Sequence, residues 1–164
     1  MRQVRLIKDY ASNTLGVNLE LECVDYQKAP AFLGEFGYKA YGWVNNTFRG
    51  KTEGLIRAQA QRLSQLIPEQ NFTTVFVQRY FPYENVHPHK DPMNNLGYTI
   101  IGVYGNYDKP TITEVEGFGS FYSSPGDVII LPCTFGKQQG PKHSVRWQPQ
   151  TNGVRYTIIL NTIV

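Results

Sequence analysis

TTVFVQRYF, residues 73–81, begins a series of short strand-like segments that continues to the end of the sequence. β-Branched and aromatic residues predominate in it, as is typical of β-strands. Five further runs of this kind follow, with turn signals such as Pro125-Gly126 and Asn152-Gly153 between them: GYTIIGVYG (97–105), GSFYSS (119–124), DVIILP (127–132), HSVRW (143–147) and VRYTIILNT (154–162). VRLIKDY (4–10) and LELECVDY (19–26) are earlier strand candidates.

One helix is predicted before these strands. The segment TEGLIRAQAQRLSQLIP (52–68) begins at a capping residue, Thr52, and stops at Pro68. Its apolar residues recur at helical spacing and share one face: Ile56, Leu63, Leu66 and Ile67. One helix packed on many short antiparallel strands predicts a mainly β fold, a two-sheet sandwich of the jelly-roll type. Since no repeat or linker interrupts the sequence, residues 1–164 are predicted to form a single domain.

Composition and charge narrow the class of protein. The 164 residues carry a net charge of +3, which permits contact with an anionic partner without requiring one. Cys23 and Cys133 have no CxxC spacing, which favours a reducing compartment over a disulfide scaffold. The start, MRQVRLIKDY, lacks the apolar region of a secretory signal, and no apolar run has the length of a membrane span. We therefore expect a soluble, cytoplasmic protein without a membrane partner.

Two of the three histidines of the chain lie in HPHKDP (87–92), directly before an acid. On an extended strand His87 and His89 point to the same face, and so do His89 and Asp91. Taken alone, an HxD triplet is equally compatible with a solvated loop that carries a surface His–Asp pair. The third histidine, His143, begins a late strand candidate, and Arg155 lies inside an otherwise apolar one.

Together, these residues indicate a particular chemistry. A buried arginine is costly unless it meets an anion, which can be a structural Asp or Glu or a bound ligand. Two histidines and one carboxylate form the facial ligand set of non-haem Fe(II) oxygenases, which leaves three coordination positions open. Two positions suit a chelating 2-oxo acid and the third suits O2, while an arginine binds the far carboxylate of the acid. His89, Asp91, His143 and Arg155 therefore predict an iron oxygenase.

Residues 73–162 resemble the AlkB-type dioxygenases, which depend on Fe(II) and 2-oxoglutarate. The family has a strand that ends in Asn-Arg-Tyr, and VQRYFP (77–82) stands in its place. The HxD motif of the family is matched by His89 and Asp91, and its GD-V-V strand by PGDVIILP (125–132).

The later motifs of the family are matched as well, with one departure. His143 stands at the distal histidine. The closing motif, an arginine followed by five residues and a second arginine, corresponds to RYTIILN, which begins with Arg155 and ends in Asn161. An amide can still hydrogen-bond a carboxylate, but it carries no charge. The resemblance implies a double-stranded β-helix (jelly-roll) core over residues 73–164, preceded by an N-terminal lid and supporting helix over residues 1–72.

The resemblance also implies a role for each matched residue. His89, Asp91 and His143 would bind the iron, and His87 is expected at the surface or behind these ligands. Four residues would contact 2-oxoglutarate: Arg155 at the distal carboxylate, Tyr80 as a second donor, Gln78 in place of the family's asparagine, and Asn161.

The implied activity is the oxidation of a C–H bond with Fe(II), 2-oxoglutarate and O2. Several AlkB-type proteins repair nucleic acids, so we expect hydroxylation or oxidative N-demethylation of a nucleic acid or nucleobase. After HxD, several repair members carry further acidic residues, whereas this chain reads DPMNNLG (91–97). The substrate pocket is therefore expected to differ from theirs, with Met93 as a candidate substrate contact.

FLGEFGYKAYGWVNNTFRGK (32–51) interleaves aromatic with basic residues. Aromatic rings stack on an unpaired base while cations meet phosphates, so the segment suits a lid over a flipped or single-stranded base. Tyr38, Tyr41 and Trp43 are its candidate substrate contacts, and single-stranded nucleic acid or a nucleotide is the candidate partner. The alternative is a β-hairpin whose aromatic residues belong to the core.

Two other functions remain open. A 2-oxoglutarate-dependent hydroxylase of a protein side chain or a small molecule would use the same iron site. A non-catalytic metal-binding jelly-roll module would keep the fold and the metal ligands without turnover.

Overall fold

The computed structural model describes residues 2–11, 27–28, 41–42, 50–82 and 84–164. Within these residues there is one helix, α1, which spans Gly50–Ser64. The strands are β1 (Arg5–Ile7), β2 (Gln27–Lys28), β3 (Tyr41–Gly42), β4 (Thr74–Tyr80), β5 (Val86–His89), β6 (Tyr98–Tyr107), β7 (Thr111–Val115), β8 (Gly119–Ser123), β9 (Val128–Pro132), β10 (His143–Arg146) and β11 (Gly153–Asn161).

The strands form two main antiparallel sheets. The five-stranded sheet has the order β1-β9-β6-β11-β4, and the four-stranded sheet has the order β5-β10-β7-β8. β2 and β3 pair with each other as a separate short ribbon. The predicted mainly β class with one principal helix is confirmed. The five-stranded sheet includes β1, a strand from the region before residue 72.

The two faces of the five-stranded sheet have different neighbours, because side chains alternate along each strand. In β11, Ile158 and Leu160 pack with Leu63 of α1 in the main core. The alternate side chains, among them Arg155 and Thr157, line a cavity between the two sheets. Full burial of one aliphatic side chain stabilises the fold by roughly 1.5–3 kcal/mol. The helix face therefore supplies stability, and the opposite face carries the polar residues.

Helix α1 differs from its prediction at both ends. It begins at Gly50, so Thr52 lies inside the helix and does not cap it. It ends at Ser64, and the chain continues in tighter turns in which the Ile67 N–H donates to the Ser64 carbonyl at 3.2 Å. These turns keep Ile67 in the same buried cluster as Leu63, so the apolar face is confirmed even though the helix is shorter.

Each of the six strand-like runs and VRLIKDY contains a strand, but the short β2 and, in the four-stranded sheet, β5 and β7 were not predicted. β5 includes Pro88, which cannot donate a hydrogen bond to a neighbouring strand. It lies at the edge of the four-stranded sheet, where proline is tolerated. β7 is a five-residue strand, TITEV, and its four β-branched residues were the missed signal.

Several N-terminal predictions lie outside the described residues. These are the strand candidate LELECVDY, the residues Tyr38 and Trp43, the side chain of Tyr41, and most of the aromatic and basic segment 32–51. Within the segment, the structure describes the pairing of β3 with β2, in which Tyr41 lies opposite Lys28. In the part of the chain that the structure describes, no helix is long and apolar enough to cross a membrane.

Candidate active site

Two histidines meet because their strands are neighbours in the four-stranded sheet. His89 ends β5, His143 begins β10, and the two residues are paired in register. Their ring centroids lie 4.5 Å apart. Asp91 places its Oδ1 at 3.5 Å from Nε2 of His89 and 3.6 Å from Nε2 of His143. One potential ligand atom from each residue thus converges, all within 4.8 Å of one another.

Backbone carbonyls fix the orientation of both rings. His89 donates from Nδ1 to the carbonyl of His87 at 2.7 Å, and His143 donates from Nδ1 to the carbonyl of Pro141 at 3.1 Å. Because a carbonyl oxygen only accepts, each neutral ring carries its hydrogen on Nδ1 and presents the lone pair of Nε2. Metal-binding histidines are typically held in this way. Both rings are therefore oriented as metal ligands.

Burial and mutual contact shift the pKa values of all three groups. Burial lowers the pKa of His89, but its hydrogen bonds to Asp91 and to the His87 carbonyl outweigh this and raise it above 6.5. Burial holds the pKa of His143 below 6.5, although the Asp91 carboxylate opposes the shift. Burial raises the pKa of Asp91, but the hydrogen bond to His89 and the charges of both histidines bring it below 3.8. Asp91 is thus an anion and His143 neutral at pH 7, as metal binding requires.

The remaining atoms of Asp91 contact the loop between β9 and β10. The Cys133 Sγ lies 3.5 Å from Asp91 Oδ2, and the Gln139 amide donates to the Asp91 carbonyl at 2.7 Å. Burial raises the pKa of Cys133 to about 12, so the group remains a thiol. Sequence reasoning missed both residues, because nothing in their spacing links them to HxD.

A cavity of about 120 Å³ between the sheets connects the His–Asp–His group to the five-stranded sheet. All seven residues predicted to contact metal or cosubstrate line this cavity: His89, Asp91, His143, Gln78, Tyr80, Arg155 and Asn161.

Arg155 is buried in the wall of this cavity, with 3% of its surface exposed. No carboxylate within the described parts of the chain forms a salt bridge with it. Its Nε and the Thr157 Oγ1, both able to donate, are buried and have no hydrogen-bond partner among those residues. Since unpaired buried polar atoms cost free energy, these atoms fit a polar, anionic ligand that completes their hydrogen bonds.

The other predicted cosubstrate contacts already hydrogen-bond within the protein. The Tyr80 hydroxyl donates to Oε1 of Gln78. Oδ1 of Asn161 accepts from the Thr99 hydroxyl at 2.6 Å and from the Asn95 amide at 3.2 Å. An Asn161 contact with a ligand would therefore use its amide nitrogen.

Two residues near the motif lie off the cavity. The His87 side chain is exposed, and its backbone carbonyl orients His89. Met93 is 46% exposed, with its sulfur 3.9 Å from Thr134 Oγ1, and does not line the cavity.

The residues present fit an iron site with a 2-oxo acid. Two neutral imidazole nitrogens and one carboxylate oxygen are the donor set that non-haem Fe(II) uses while keeping three positions open. Arg155, buried on the same cavity, supplies the cation that a dicarboxylate needs at its far end.

No model of a known protein family matches this sequence, and no curated protein matches it either. Solved structures do match its fold. A prolyl-4-hydroxylase from Pseudomonas putida has a TM-score of 0.64 at 11% identity, over 98% of this chain and 94% of that one. A prolyl hydroxylase from Trichoplax adhaerens, in complex with a hypoxia inducible factor peptide fragment, has a TM-score of 0.68 at 13% identity, over 99% and 84%.

A viral collagen prolyl hydroxylase from Paramecium Bursaria Chlorella virus-1, solved in complex with 2OG (2-oxoglutarate), is also similar. Its TM-score is 0.56 at 14% identity, over 96% of this chain and 95% of that one. At these identities the likeness shows the fold. The predicted jelly-roll core is confirmed.

Proposed function

We propose that this protein is an Fe(II)- and 2-oxoglutarate-dependent dioxygenase that oxidises a C–H bond. The observation that carries the proposal is the convergence of His89 Nε2, His143 Nε2 and Asp91 Oδ1 on the cavity that also contains Arg155. An ion-binding surface cluster would not require a buried guanidinium beside it, whereas a site for a metal-chelating dicarboxylate does.

In this proposal each residue has a defined task. His89, Asp91 and His143 hold the iron on one side of the cavity, and Arg155 binds the distal carboxylate of 2-oxoglutarate. Iron held there would supply the oxidative chemistry, in which 2-oxoglutarate and O2 would give succinate and CO2 as the substrate C–H bond is oxidised. Apolar residues such as Ile101 and Leu131 line the same cavity.

A protein side chain is the first substrate class to test. Three of the similar structures are prolyl hydroxylases, and one of these is in complex with a peptide fragment. The net charge of +3 is also compatible with the binding of acidic peptides.

A nucleic acid or nucleobase, oxidised by hydroxylation or N-demethylation, is the second class. It is favoured by the AlkB-like order of motifs from VQRYFP to RYTIILN and by the aromatic and basic segment 32–51. Tyr38, Tyr41, Trp43 and Met93 remain the candidate contacts for such a substrate.

Succinate formation from 2-oxoglutarate tests the proposal and separates the classes. Protein purified without O2 would be given Fe(II), ascorbate and O2, with proline-containing peptides or with methylated and unmethylated single-stranded oligonucleotides. We expect turnover that one substrate class stimulates and that His89→Ala abolishes. His87→Ala is the matched control, because it removes an exposed ring and keeps the carbonyl that orients His89.

Each result has a defined meaning. Stimulation by peptides alone would contradict the AlkB-like substrate, and stimulation by oligonucleotides alone would support it. Turnover that is indifferent to both would direct the search to small molecules. Metal binding without any succinate would contradict the proposal and leave a non-catalytic module.

A further inference from the structure

Cys133 contacts Oδ2 of Asp91, the carboxylate oxygen that does not face the two histidines. Its side chain is 1% exposed, and its Sγ lies 3.5 Å from Oδ2, while Oδ1 faces the two imidazoles at 3.5 and 3.6 Å. The two carboxylate oxygens therefore have separate neighbours, the thiol on one side and the histidines on the other.

The thiol hydrogen has one favoured acceptor among its neighbours. Thr99 Oγ1 lies 3.0 Å from Sγ, but it is neutral and already accepts a hydrogen bond from the Asn95 amide at 3.2 Å. The Leu131 carbonyl is 4.0 Å from Sγ, beyond the distance to the carboxylate. Because an ionised acceptor forms the stronger hydrogen bond, the carboxylate is the partner of the S–H group.

Cys133 does not itself belong to the ligand set. The group of side chains whose ligand atoms lie within 4.8 Å of one another comprises His89, Asp91 and His143, and Cys133 is outside it. Its contact is with the carboxylate oxygen directed away from the rings.

We propose that Cys133 is a positioning residue for the metal site: its thiol donates to Oδ2 of Asp91 and leaves Oδ1 as the single carboxylate atom presented to the metal. The inference rests on the proposed iron site. Outer partners of this kind orient metal ligands, and their loss typically weakens metal binding by about 10- to 100-fold. Without the thiol, the carboxylate is free to rotate or to bind through both oxygens.

Titration with Co(II), followed by its visible absorption, tests the inference without any turnover. All proteins would carry Cys23→Ser, so that Cys133 is their one cysteine. Cys133→Ala and Cys133→Val remove the donor with different side-chain volumes, and Cys133→Ser retains one. Ile130→Val is the matched control, since Ile130 lies on β9 three residues before Cys133, is fully buried and packs in the core cluster that includes α1.

We expect both donor-free variants to bind Co(II) about 10- to 100-fold more weakly with an altered absorption spectrum. Cys133→Ser should recover much of the affinity, and Ile130→Val should match the parent. If the alanine variant does not fold, as judged by circular dichroism, the valine variant carries the comparison.

Three results would overturn the inference. Donor-free variants that bind Co(II) as tightly as the parent, with the same spectrum, would show that the thiol does not position Asp91. A thiolate-to-cobalt charge-transfer band in the parent would make Cys133 a ligand. A parent that binds no Co(II) would overturn the proposed metal site together with this inference.

Discussion

Each histidine of the site is oriented by the backbone carbonyl of the residue two positions before it. His89 donates to the carbonyl of His87, and His143 donates to the carbonyl of Pro141. The same local contact is thus repeated on two neighbouring strands. It fixes which nitrogen holds the hydrogen, so the ring is prepared for a metal before one binds.

The pKa shifts predict how metal affinity depends on pH. The pKa of His89 lies above 6.5 and that of His143 lies below 6.5. At a pH between these two pKa values, His89 must lose a proton to bind metal, whereas His143 is already neutral. Between the two pKa values one proton is displaced, so affinity should rise about tenfold per pH unit. Co(II) titrations at pH values around 6.5 measure this slope. A tenfold rise is expected, and a hundredfold rise per unit, or none, would contradict the assignment.

Arg155 is predicted to matter for cosubstrate binding and little for folding. It forms no salt bridge with a described carboxylate, so Arg155→Met should cost less than about 1 kcal/mol in unfolding free energy. Because charge-assisted hydrogen bonds contribute about 1.5–3 kcal/mol, 2-oxoglutarate affinity should fall at least about tenfold. Urea unfolding and isothermal titration calorimetry measure the two quantities.

Arg146→Met is the control for this substitution, since Arg146 is an exposed arginine paired with Glu114. It should leave both quantities nearly unchanged. A large loss of stability in Arg155→Met with unchanged 2-oxoglutarate affinity would instead make Arg155 a structural cation.

The sequence was sufficient to predict which residues form the candidate site, but not all the contacts that these residues make. HxD spacing and an arginine in an apolar strand mark His89, Asp91 and Arg155, because those residue types are chemically unusual where they stand. Cys133 is an ordinary buried residue by type, and its contact with Asp91 spans 42 positions of the chain. Only the pairing of strands brings such residues together.

At the scale of elements, the five-stranded sheet separates stability from chemistry. β11 gives Ile158 and Leu160 to the core under α1, and Arg155 and Asn161 to the cavity on the opposite face. The period of two that places these residues is visible in VRYTIILNT. A sequence can therefore predict the division between faces, although it does not show which sheet lies opposite.

This division predicts that the helix can be weakened without loss of metal binding. Leu63 is fully buried on the helix side of the sheet, so Leu63→Ala should cost about 2–5 kcal/mol in unfolding free energy. Leu55→Ala on the same helix removes a side chain that is 40% exposed and should cost far less. Urea unfolding measures both, and Co(II) affinity of the folded protein should be unchanged in each. A weakened metal site in Leu63→Ala would contradict the separation of the two faces.

At the scale of the whole molecule, the order of strands was harder to predict than their existence. The strand-like runs, the helix face and the jelly-roll class follow from local pattern, whereas β5 was missed because Pro88 weakens its pattern. The sheet orders join strands that are distant in sequence, such as β1 with β9 and β4 with β11. Such pairings depend on which apolar faces can be buried together, and this is a property of the complete chain.

The two sheets each contribute one half of the proposed site, so ligands that bind both halves should stabilise the whole molecule. His89 and His143 belong to the four-stranded sheet, and Arg155 belongs to the five-stranded sheet. A ligand held at 100 times its Kd adds about 2.7 kcal/mol to the unfolding free energy. For a chain of this size that corresponds to a rise in Tm of about 5–10 °C.

Thermal unfolding under anaerobic conditions tests this coupling. With Fe(II) present, 2-oxoglutarate should raise Tm by that amount, because the metal and Arg155 hold opposite ends of one molecule. Without metal the rise should be much smaller, and in His89→Ala it should be small even with Fe(II). His87→Ala should respond like the parent, since its ring is exposed and its carbonyl is retained. If 2-oxoglutarate stabilises the parent equally with and without metal, the dicarboxylate binds Arg155 alone, and the two sheets do not form one site.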